Sequence, residues 1–188
     1  MKIIFTCIVY WALSNSTIKA QQFAAYNTTS VPTLSKTELE AYRKNMWEEP
    51  PAAVGWVNDF GGLFNNEEEL LLEEQIAHFE KRSGVEIAIL SIDSLMIEKD
   101  KMEDYAMHIL ETWGIGKIDK DNGILICICP DYKLVKIVGG SGAKRYIKLQ
   151  ARHDLVKDCM APYFTKKQYF DGTINAIKTI IINVDKSF

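Results

Sequence analysis

The sequence predicts a three-layer α/β/α sandwich on a small mixed sheet of about four strands, and three observations carry that prediction. Residues 85–92 (VEIAILSI) and 123–129 (GILICIC) are rich in β-branched residues and largely apolar on both faces, as strands covered by helices on either side must be. Between them, residues 101–113 place Met102, Tyr105, Ala106, Ile109, Leu110 and Trp113 on one helical stripe. A right-handed crossover through that helix makes the two strands parallel. The short stretch Pro130-Asp131-Tyr132-Lys133 before residues 134–138 predicts a hairpin, so the fourth strand runs antiparallel.

The other elements follow in order. Residues 55–57 form a short apolar piece before Asp59, Gly61 and Gly62. Asn66 is placed to cap the next helix, with Glu67, Glu68 and Glu69 in its first turn, where the positive end of the helix dipole favours acids. Leu72, Ile76 and Phe79 supply its apolar face, and Lys81, Arg82 and Gly84 close it. Beyond Gly142, the spacing of Ile147, Ala151, Leu155 and Cys159 predicts a helix broken near Pro162. A last helix from about Gln168 aligns Ile174, Ile177, Ile181 and Val184. This topology sets the start of the 123 strand beside the end of the 134 strand. KIDKDN and GGSG therefore become neighbours, while Asp93, Ser94 and, if its strand is parallel, Asp59 fall at the opposite edge.

With 188 residues, 47% of them apolar, the chain is long enough for one well-buried core, and residues 54–188 are read as that domain. Lys2, an apolar run from Ile3 to Leu13 and a small-residue end at Ala20 make residues 1–20 a cleavable secretory leader, which predicts a secreted or periplasmic protein. Residues 21–53 read as an arm or linker in which Ser35-Lys36-Thr37-Glu38, a capping-box pattern, starts a short helix ending near Asn45. A formal charge of −3 and no Lys/Arg block interleaved with aromatics argue against a nucleic-acid partner. The mature chain has no apolar run that spans a bilayer, which takes about 20 residues. Loss of the leader leaves Cys127, Cys129 and Cys159. The first two share a strand face and would pair badly with each other, and no Cys/His spacing suggests zinc.

Candidate chemistry concentrates at the two segments the topology brings together. Asp119, Asp121 and Asn122 cluster oxygens, either as part of a cation site or as a solvated turn before a strand. They are not an EF-hand, because a loop counted from Asp119 has Gly123 fifth and Pro130 twelfth. Gly139-Gly140-Ser141-Gly142 leads into a helix with Lys144 and Arg145 in or near its first turn. Such a turn offers backbone N–H groups and cations to an anion, or is simply a glycine turn with two solvated charges. Neither a Walker loop nor Gly-x-Ser-x-Gly is present. His78, His108 and His153 each sit alone, without a ligand pair one turn away.

VNDFGGLF with its acidic helix, SGVEIAILSIDS, EDYAMHILETWGIGK, KDNGILICI and YKLVKIVGGSG closely resemble the TPM family, from about Val54 to Val184. The family is named after a thylakoid lumen protein, a photosystem II repair protein and a nematode receptor modulator. The resemblance implies an α/β/α sandwich, extracytoplasmic residence, acid-phosphatase activity and a bound calcium or other divalent ion. The receptor modulator implies a binding accessory instead. Family members read Gly-Tyr-Gly-Leu-Glu after the fourth strand and an Asp about five residues on; here Lys144 and Leu149 occupy the two acidic positions.

Two readings follow. In the first, the protein is a phosphomonoesterase assisted by Ca or Mg. Asp59, Asp121 and Asn122 donate oxygens to the ion, Gly140, Ser141, Gly142, Lys144 and Arg145 form the phosphate loop, and no nucleophile is assigned. In the second, it is a non-catalytic envelope accessory that binds a protein partner.

Overall fold

A computed structural model describes residues 34–187. The leader expected over residues 1–20 and the first part of the expected arm lie outside the described residues. Helix α1 (Lys36–Glu48) opens on the expected reciprocal cap. The Glu38 carboxylate accepts from the Ser35 amide at 2.8 Å, and Ser35 Oγ accepts from the Glu38 amide at 3.3 Å. The helix runs one turn beyond the expected end.

A four-stranded sheet is built from β1 (Val57–Asp59), β2 (Ile87–Ser91), β3 (Ile124–Cys129) and β4 (Leu134–Gly139), in the order β1-β2-β3-β4. The first three strands are parallel and β4 is antiparallel, with Asp59 level with Ser91, Ser91 with Ile128, and Ile124 with Gly139. Between β1 and β2 runs α2 (Asn66–Ser83); between β2 and β3, a 3-10 turn at Lys99–Lys101 leads into α3 (Met102–Thr112). After β4 come a 3-10 turn (Gly142–Arg145), α4 (Leu149–Asp154), a π-helical segment (Leu155–Met160), α5 (Ala161–Phe164) and α6 (Tyr169–Asp185).

Alternation along the strands separates two cores. Ile87, Ile89, Ile124, Ile126 and Ile128 pack with α2, α6 and the π-helical segment on one face. Ala88, Leu90, Leu125, Cys127 and Cys129 pack with α3 on the other. This is the predicted three-layer α/β/α sandwich. The strands advance in one direction across the sheet while α2 and α3 lie on opposite faces, so the two crossovers differ in hand and only one follows the usual right-handed rule.

Several local expectations change. The cap of α2 is Asn65, not Asn66: Asn65 Oδ1 accepts from the Glu67 and Glu68 amides at 3.0 Å each, and Glu68 returns a bond to the Asn65 amide at 2.9 Å. Both asparagines have a glutamate three residues later, so the pattern offered two registers. Near Pro162 the helix is not broken but changes pitch just before the proline, through the π-helical segment. A proline inside a helical run lacks the N–H for the preceding turn and its ring crowds that turn's carbonyl, and the wider π turn gives it room. One compact unit runs from Leu39 to Phe188 and includes residues 39–53 of the expected arm. Within it Trp47 stacks on His108 at 5.0 Å, His108 Nε2 donates to the Trp47 carbonyl at 2.9 Å, and Trp113 Nε1 donates to the Pro51 carbonyl at 2.8 Å. Trp47 and Pro51 thus tie this segment to α3 and the residue that ends it.

Candidate functional site

The start of β3 and the end of β4 form one corner, as the topology requires. Asp121 holds a left-handed backbone (φ 44°), a conformation Asp tolerates better than most residues. That turn aims its carboxylate at the glycine loop, where the Ser141 amide donates to it at 2.6 Å and the Gly142 amide donates to the Asp121 carbonyl at 2.9 Å. The chains touch so closely that a Cβ on Gly140 would overlap the Asp121 carboxylate, and one on Gly142 the Lys120 carbonyl. Glycine is required at both positions by contact. The Ser141 amide and hydroxyl, followed by the nearby Lys144 charge, hold the Asp121 carboxyl below the usual carboxylate range.

The loop's other amides are also engaged. Gly140 N–H donates to Gly123 O, Ala143 N–H to Gly140 O and Lys144 N–H to Ser141 O. The anion occupying this loop is the protein's own Asp121. Arg145 lies 4.6 Å over the Tyr146 ring and donates to its hydroxyl. The loop of Gly140, Ser141, Gly142, Lys144 and Arg145 therefore lacks the open N–H cradle expected from its glycines, because those donors close the corner itself.

Asn122, 2% exposed, is a structural brace. Its Oδ1 accepts from the Lys117 amide at 3.0 Å and its Nδ2 donates to the Gly84 carbonyl at 2.9 Å, tying the loop to the end of α2. Lys117 bridges Glu80 and Glu86 at 2.7 Å each, and those two carboxylates hold its ammonium well above the usual lysine value. Asp119 belongs to the exposed turn before this corner.

The opposite end of the sheet gathers Asp59, Asp93, Ser94 and Asp131. Asp59 accepts from the amides of Leu63 (3.0 Å) and Phe64 (2.8 Å) and from Ser91 Oγ, while Ser91 Oγ accepts from the Gly61 amide at 2.8 Å. Burial, then the charges of Asp59 and Glu73, raise the Glu69 carboxyl above its ordinary value. Asp93 caps the turn that follows, accepting from Leu95 and Met96, and Asp131 accepts from the amide and hydroxyl of Ser94. Arg43 and Tyr132 donate to the Ser94 carbonyl, at 3.0 Å each. Ser91 and Glu69 were missed by sequence reasoning; the single hydroxyl in an otherwise apolar strand was the available signal for Ser91.

These placements test the expected ligand set. Asp59 is level with Ile128, whereas Asp121 precedes Ile124, so roughly 13 Å of strand separates them. Calcium or magnesium holds its oxygens within about 2.6 Å. Asp59, Asp121 and Asn122 thus do not fit one shared ion. Asn122 has spent its oxygen on a backbone amide, Lys144 adds positive charge beside Asp121, and the exposed Leu149 brings no ligand to the start of α4. Among the described residues, no three of His, Cys, Asp and Glu converge as a metal site, and no helix is long and apolar enough to cross a membrane.

Solved structures share this architecture. The N-terminal domain of a protein from P. gingivalis aligns with a TM-score of 0.64 at 22% identity, over 76% of this chain and 88% of that one. The BA42 protein of the psychrophilic bacterium Bizionia argentinensis gives 0.56 at 19% identity, over 69% and 86%. The N-terminal domain of the cg2496 protein of Corynebacterium glutamicum gives 0.53 at 13% identity, over 72% and 83%. At these identities the likeness is one of fold. No curated protein matches. The TPM domain profile matches residues 57–182, spanning every strand and nearly all of α6, and the chain belongs to the TPM domain family.

Proposed function

We propose that this protein is an extracytoplasmic TPM-domain binding module without metal-assisted phosphatase chemistry. The observation that carries the reading is the state of Asp121: its carboxylate is bonded to the Ser141 amide and faces Lys144, where the family resemblance implies an acid. A divalent ion there would have to displace an internal hydrogen bond and sit beside a cation, with Asp59 at the far end of the sheet. The leader pattern in residues 1–20 supports work outside the cytoplasm. Family membership favours the rival reading, a phosphomonoesterase using Ca or Mg.

One experiment separates them. The purified protein is assayed on a generic phosphomonoester with calcium, with magnesium and with chelator, and melted under the same three conditions. The binding-module reading expects no turnover and no metal-dependent rise in Tm. Turnover that chelator and Asp121→Ala both abolish would overturn it in favour of the enzyme.

A further inference from the structure

At the end of β3, between the β3–β4 hairpin and the helical segments that follow β4, lies a cavity of about 520 Å³. That volume lies within the roughly 300–1,000 Å³ range of small-molecule pockets. Its walls are Ile128, Leu134, Val135, Val156, Phe164 and Tyr169. Phe164 and Tyr169 meet edge to face at 5.0 Å, and Gly172 lets the Phe164 ring rest directly on α6, so that wall is held from behind. Val156 belongs to the π-helical segment, an irregularity that recurs at functional sites.

The polar contribution is one-signed. Lys133 and Lys167 line the cavity, and among the described residues no acid does. Both lysines hold a left-handed backbone, φ 50° and 60°, which costs a residue with a Cβ about 1–2 kcal/mol relative to glycine. The Lys133 amide closes its turn on the Pro130 carbonyl at 3.0 Å, and the Lys167 amide closes its own on the Phe164 carbonyl at 3.0 Å. Two separate loops thus accept an unfavourable conformation, and each places a lysine on the lining of the same apolar cavity. Strained non-glycine backbone of this kind concentrates at binding sites.

We propose that this cavity binds a single-chain anionic amphiphile, a carboxylate or phosphate head on a linear hydrocarbon, with the chain against Val135, Val156 and Phe164 and the head at Lys133 and Lys167. The proposal goes beyond the binding-module reading and is independent of it, since the cavity stands at the opposite end of β3 from Asp121.

The test is an NMR titration of the isotope-labelled protein with monomeric decanoate, decyl phosphate, decanol and acetate. Decanoate or decyl phosphate should shift the amides of Val135, Val156 and Thr165 in a saturable manner, with decanol and acetate at least tenfold weaker. Whichever of the two anions binds more tightly identifies the head group. The double variant Lys133→Gln/Lys167→Gln should lose at least tenfold in affinity for the anion and none for decanol; the single variants serve if the double variant does not fold. Decanol binding as tightly as decanoate, shifts that fall outside the cavity, or no shift at millimolar ligand would overturn the proposal.

Discussion

The two ends of β3 are built on opposite plans. At its start, Asp121, the glycine loop and Asn122 consume one another's donors and acceptors, leaving a closed polar corner. At its end, apolar walls and two lysines leave an open cavity of about 520 Å³. All three described non-glycine residues with positive φ, Asp121, Lys133 and Lys167, belong to these two places. In the corner the strained backbone completes the protein's own hydrogen bonds; in the cavity it presents charge that no lining acid neutralises. A motif conspicuous in sequence can thus be spent on folding, while a site with no motif stays available to a ligand.

The largest effect should come from breaking the closed corner by sterics. Gly142→Ala puts a Cβ into the Lys120 carbonyl, an overlap with backbone that cannot rotate away. It should cost about 2–3 kcal/mol in denaturant unfolding, while the cavity end keeps its ligand affinity. An unchanged midpoint would mean that the two loops are not in firm contact.

A smaller effect should follow from removing charge at the corner and nothing else. Asp121→Asn keeps an acceptor for Ser141 and tolerates the left-handed backbone, so its cost at pH 7 should stay under about 1 kcal/mol at this exposed site. The sign of the pH dependence is fixed by the lowered folded-state pKa. The stabilisation from the Asp121 carboxylate is complete above the unfolded value of about 3.9 and is lost as pH falls through the lower folded value. Melting curves of the two proteins should therefore separate above pH 4 and converge in stronger acid.

The smallest stability effect should come from the open end. Lys133→Gly removes backbone strain but gains unfolded-state entropy, so stability should change by no more than about 0.5 kcal/mol, while affinity for decanoate falls. A large loss of stability would show that Lys133 is structural and that the two ends are not different in kind.

Much of this was legible in the sequence wherever a local or periodic rule applied. Residues 85–92 and 123–129 announced buried strands, the stripe from Met102 to Trp113 announced the helix between them, and the hairpin placed Asp121 beside the glycine loop. The docking of Trp47 on His108 had no such signal, because a polar, proline-containing arm has the same composition whether or not it packs. The cavity was equally silent: its walls come from a hairpin, a π-helical segment and a loop far apart in the chain, and none of them carries a motif.

The sequence by itself determined the layers, the parallel β2–β3 pair, the β3–β4 hairpin and which of their loops share an edge, since hydrophobic period and connection length decide these locally. The place and direction of β1 came from the tertiary structure. Only the tertiary structure decided how the polar groups were spent. Whether Asp121, Asn122 and Asp59 hold a ligand or brace the fold depends on donors a few ångströms away, brought there by distant parts of the chain. Hydrogen bonds act over such distances, whereas a sequence records only the order of the groups that make them.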